Sequence, residues 1–115
     1  MAEMTKESRI KREATALKKQ YKAIDEARKL TAERLIQRAA YQKVTLEDLE
    51  RDLDENGWTE PFRQSSNLPP YDRRRPNADI YMSLTAQYGR TLKQLDAMLP
   101  KGSATISDEL MDFLK

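Results

Sequence analysis

The side chains with chemistry to offer in this chain are charged ones. Asp48, Asp52 and Glu55 recur at steps of four and three, which sets three carboxylates on one helix face. Such oxygens suit Mg²⁺, but Mg²⁺ sites draw convergent ligands from more than one element. The sequence therefore favours a solvated acidic face, or a patch for another subunit's arginines. Asp72-Arg73-Arg74-Arg75-Pro76 places three guanidinium groups before a helix start, where cations are mildly unfavourable and call for a compensating anion. A carboxylate of the acidic stretch 44–56, in the same chain or a neighbour, is favoured over a phosphate in that role. Lys6, Arg9, Lys11, Arg12, Lys18 and Lys19 form a third set, suited to following nucleic-acid phosphates by displacing condensed counterions. Glu3, Glu7 and Glu13 lie among them, so a coiled-coil exterior of mixed charge stays equally open. No aromatic interleaves with these basics, which argues against stacking on a single strand.

What is missing bounds the function. There is no cysteine and no histidine, which removes thiol nucleophiles, disulfides, soft-metal sites and the commonest general base. With only three glycines and no phosphate-cradling loop, no catalytic constellation survives. The expectation is a protein that is not an enzyme and holds no metal or other cofactor. At 115 residues with 35% charged side chains, the chain can bury one thin core, and part of its apolar surface calls for a partner. The net charge of +2 conceals segregation of sign, since residues 44–56 carry six acids against Arg51 alone. No apolar run is long enough for a signal peptide or a membrane span, so a soluble protein is expected.

Periodicity supplies the elements that position these groups. A first, basic helix is predicted from Thr5 to Asp25, with Ile10, Ala14, Leu17, Tyr21 and Ile24 on a narrow stripe that makes a seam for one other helix. A second runs from Leu30 to Asn56 as one long helix, with a bend allowed near Val44-Thr45 because Thr45 and Asp48 approximate a capping box. Asn56-Gly57 supplies its stop through a left-handed residue. Residues 58–75 read as a short β-hairpin or extended arm, and a third helix follows from Asn77 to Leu99. Its apolar face comprises Ile80, Tyr81, Leu84, Tyr88, Leu92, Leu95, Met98 and Leu99.

The predicted fold is all-α: an antiparallel helical pair with an intervening short β-hairpin arm, plus the basic N-terminal helix. Its divisions fall at 1–29, 30–100 and 101–115. Leu46, Leu49, Leu53, Trp58 and Phe62 are candidate oligomer contacts, although Trp58 and Phe62 are more simply anchors of the hairpin on the helices. Leu110, Met111, Phe113 and Leu114 form an acidic amphipathic tail behind a linker, suited to a partner's groove or to folding back on the domain.

Leu49-Glu50-Arg51-Asp52-Leu53-Asp54-Glu55-Asn56-Gly57 ends the second helix before a polar hairpin. Arg75-Pro76-Asn77-Ala78-Asp79-Ile80-Tyr81 then opens a helix that closes with Leu92-Lys93-Gln94-Leu95-Asp96-Ala97-Met98-Leu99-Pro100. This order, over residues 30–100, resembles the small subunit of tailed-bacteriophage terminases, in the branch with a helix–hairpin–helix unit. The resemblance implies a non-enzymatic DNA-packaging factor in the cytoplasm of the bacterial host. It would form a homo-oligomeric ring, bind double-stranded viral DNA and modulate the terminase large subunit. Many such subunits begin with a helix-turn-helix domain, for which this chain has no room, so non-specific phosphate contact is expected in place of major-groove reading.

Overall fold

The computed structural model describes residues 4–100. The proposed tail residues Leu110, Met111, Phe113 and Leu114 lie outside them. Thr5 opens the first helix, α1 (Lys6–Gln20), by accepting the backbone N–H of Ser8 on its hydroxyl at 3.1 Å. The helix stops short of Asp25 because the chain reverses here. The Ile24 N–H turns back to the Tyr21 carbonyl at 3.2 Å, and a 3₁₀ turn, Glu26–Arg28, leads into α2 (Lys29–Asn56). Tyr21 and Ile24 keep the buried places that their spacing gave them, now within the turn.

Helix α2 spans about 42 Å at the standard rise and runs unbroken through Val44-Thr45. Thr45 caps nothing there, and its hydroxyl is buried without a partner. Gly57 ends the helix with φ 85° and ψ 171°. The positive φ is the expected one. The ψ, however, lies outside the left-handed helical region and in an extended region that essentially only glycine enters. Strands β1 (Thr59–Phe62) and β2 (Tyr71–Arg74) then pair antiparallel, Thr59 opposite Arg74 and Phe62 opposite Tyr71. Helix α3 (Pro76–Ala97) starts on Pro76, whose fixed φ and missing N–H suit a first helical position.

Both α1 and α3 run antiparallel to α2. Arg9 meets Asp48 in the second half of α2, Asp52 meets Asn77 at the start of α3, and the Tyr21 hydroxyl donates to Asp96 near its end at 2.6 Å. The core gathers Ala14, Leu17, Tyr21, Ile24, Ala32, Ile36, Ala39, Ala40 and Leu95. Ala39 and Ala40 are fully buried, and their small side chains let neighbouring helices come close. Leu17, Ile36 and Leu95 each contribute about 1.5–3 kcal/mol on burial. The α1 stripe packs chiefly on α2, as a seam for one helix does, and Tyr21, just past the end of α1, reaches α3.

Two further expectations change. Leu46 and Leu53, candidate oligomer contacts, are buried in the chain itself, and Leu49 is half-buried. The first two have no surface to offer a second copy. Ile80 is not part of the α3 packing face but is 52% exposed. Ala78 is buried on α3, and a residue two positions on sits roughly 200° around the helix from it. That rotation turns Ile80 outward. Among the described residues, no helix is long and apolar enough to cross a membrane.

Candidate nucleic-acid interface

The basic residues singled out by the sequence divide into neutralised and unpaired groups. Arg9 donates through Nη1 to Asp48 at 2.6 Å, with Glu47 3.4 Å from Nη2. The Asp48 bond, outweighing the opposing effect of burial, holds the guanidinium more firmly protonated than usual. Arg75 is only 16% exposed and locks the base of the hairpin, with Nη1 on the Gly57 carbonyl at 2.7 Å and Nη2 on Asp52 at 2.9 Å. Its backbone N–H closes the same junction on the Trp58 carbonyl at 2.9 Å. Arg73 pairs with Glu60 at 2.9 Å and lies over the Phe62 ring, and Arg74 pairs with Asp79 at 2.9 Å. Arg9 and Arg75 are thus engaged in ion pairs within the chain, which compete with any phosphate for them. Arg73 and Arg74 sit in exposed pairs that a phosphate can replace at little loss.

Two of the three carboxylates weighed as Mg²⁺ ligands, Asp48 and Asp52, are drawn into the same latches. Asp48 takes Arg9, while Asp52 accepts from Asn77, Asn56 and Arg75 and is held below the usual carboxylate range in that order of cause. Glu55 remains exposed. Among the described residues, no group of three acids converges as a metal site requires.

Lys11, Lys18 and Lys19 stay exposed on α1, with no carboxylate at ion-pair distance among the described residues. Lys6 places its Nζ 4.7 Å above the ring centre of Tyr41, joining a basic residue to an aromatic in a way the linear sequence conceals. Arg12 faces a groove of about 540 Å³ between α1 and α2, which also holds Arg9 and Arg51 beside Glu13 and Glu47. Three arginines face two glutamates there, so that groove is neutralised only in part.

A second groove, about 400 Å³ between α2 and α3, was missed by the sequence reading. Arg38, Tyr41 and Gln42 form one wall, and Gln87, Arg90 and Gln94 the other. Its arginines are isolated in sequence and belong to no basic run, so only folding unites them. The available signal was the spacing of Arg34, Arg38 and Tyr41, which shares one helix face.

At the opposite end, Trp58 packs edge-on to Tyr81 with ring centres 5.7 Å apart, while Phe62 pairs with Tyr71 at the same distance. Trp58 is therefore an anchor onto α3. Phe62 finds its aromatic and cationic partners, Tyr71 and Arg73, inside the hairpin. Around them Trp58, Leu68, Tyr71, Ile80 and Met82 are all substantially exposed. Comparison of the chain with protein-family models, with curated proteins and with solved structures finds no match.

Proposed function

We propose that this protein is a non-enzymatic, self-assembling DNA-binding adaptor, similar in role to the small subunit of a phage terminase. In this reading it binds double-stranded DNA through basic helices and associates through its hairpin end. It presents DNA to a large packaging subunit. The observation that carries the reading is the sorting of charge. Acids of α2 occupy Arg9 and Arg75, while Lys11, Lys18 and Lys19 are left exposed and without carboxylate partners among the described residues. A lysine row of this kind supplies sequence-independent affinity by releasing counterions. The helix–hairpin–helix order of α2, β1, β2 and α3 supports the likeness in role.

The test is solution mass by light scattering, with and without a short DNA duplex, over a salt series. A discrete multimer that gains mass with DNA at low salt and loses it as salt rises supports the adaptor. A second reading, a protein-interaction module that binds no nucleic acid, is favoured by the exposed apolar hairpin end. A mass indifferent to DNA at every salt concentration selects it.

A further inference from the structure

The groove between α2 and α3 has features that the lysine row of α1 lacks. Arg38 and Arg90 stand on its opposite walls, and among the described residues neither has a carboxylate at ion-pair distance. Arg12, Arg28, Arg34, Arg51 and Arg63 are likewise without an ion pair among the described residues, so what sets Arg38 and Arg90 apart is that they line one groove from two helices. Two guanidinium groups across a narrow groove repel one another and focus a positive potential between them, which an anion relieves. Lys6, held over Tyr41, brings a third cation close to the α2 wall.

Gln42 lines the groove but is only 6% exposed, and its Oε1 is sealed from solvent, so it belongs to the groove floor and is not a contact open to an occupant. Gln87 and Gln94, on the facing wall, add side-chain amides that both donate and accept. The site thus asks for an occupant with anionic oxygens for the arginines and N–H donors for the amides. A nucleic-acid strand carries both, in its phosphodiester backbone and in the amino groups of its base edges.

We infer that the α2–α3 groove is a second DNA contact, in which Arg38 and Arg90 clamp a backbone phosphate and the exposed amides of Gln87 and Gln94 meet the adjoining nucleotide. This inference rests on the DNA-binding reading above and locates contacts that the basic N-terminal helix does not provide.

The experiment is fluorescence anisotropy of a labelled short duplex with the full chain over a salt series. It compares wild type, Arg38→Ala/Arg90→Ala, Arg38→Lys/Arg90→Lys and Lys11→Ala/Lys18→Ala/Lys19→Ala. Both arginines are exposed, so the fold should survive their replacement, and circular dichroism verifies it. The alanine pair is expected to weaken binding about tenfold or more and to reduce the slope of log affinity against log salt by roughly two, one for each lost phosphate contact. The lysine pair should retain the slope but lose affinity, because an ammonium cannot replace the planar fork of an arginine. Gln87→Ala/Gln94→Ala, which removes the exposed uncharged amides, is expected to weaken binding with no change in slope. An alanine pair that binds as wild type does, beside an α1 triple variant that loses binding, overturns the groove contact and leaves the adaptor reading intact. Wild-type protein with no affinity for the duplex at low salt overturns both.

Discussion

At the scale of single residues, the molecule turns on Asp52. One carboxylate accepts from Asn77, Asn56 and Arg75, so the end of α2, the base of the hairpin and the start of α3 share a single anion. Those contacts hold its pKa below the ordinary value of about 4. The unfolded chain therefore takes up the proton first as pH falls. The stabilisation is fully present above the ordinary carboxylate range and is lost as pH drops through the lowered value. Thermal melts followed by circular dichroism from about pH 7 to about pH 2 should show this loss as a decline in Tm. Asp52→Asn is expected to melt lower at neutral pH and to decline less steeply in acid. Parallel curves for the two proteins would show that Asp52 does not link the hairpin base to pH. The sequence marked Asp52 as a possible metal ligand and Arg75 as an arginine in need of an anion. Joining the two required knowing that the hairpin brings its own base back to the end of α2.

At the scale of elements, Gly57 at the end of α2 and Gly89 inside α3 respond oppositely to an added side chain. Gly57 sits at a φ and ψ that side chains rarely adopt, yet a Cβ there would approach only the Thr59 carbonyl, at 3.9 Å. The effect of Gly57→Ala is therefore conformational and not a clash. It should cost about 1–3 kcal/mol, read as a lower urea midpoint with an unchanged slope. Asn in its place should not rescue stability, since asparagine favours the left-handed helical region and not this extended one. Gly89 lies inside α3 with open space where a Cβ would go, so Gly89→Ala is expected to stabilise by about 0.5–1 kcal/mol in the same assay. Helix positions were legible because apolar residues recur at the helical period and Pro76 and Gly57 mark boundaries. The end of α1 was not, because Tyr21 and Ile24 continue the stripe through a turn that only the returning α2 imposes. The α2–α3 groove was illegible for a related reason: Arg38 and Arg90 share a site only once two helices pack.

At the scale of the whole molecule, polar and apolar surfaces occupy different regions. The lysines of α1 and the arginines of the α2–α3 groove lie along the helical body, whereas Trp58, Leu68, Tyr71, Ile80 and Met82 stand exposed in the hairpin and the first turns of α3. A two-stranded hairpin is marginally stable in water by itself, and here it is tied to the helices by Trp58 on Tyr81, by the Arg74–Asp79 pair and by the latch of Arg75. A second copy seated against the hairpin and the outward Ile80 face of α3 would bury apolar surface and brace the strands together. A contact between unlike faces repeats from copy to copy and closes into a ring when its rotation allows. Leu68→Asp/Ile80→Asp places two charges on this surface without touching a buried residue. Light scattering should then report the mass of a single chain, while circular dichroism retains the wild-type helix signal. Anisotropy with a short duplex should show weaker apparent affinity, because separate chains lose the avidity that linked DNA contacts confer. A double variant that assembles as wild type does would move the interface away from the hairpin end.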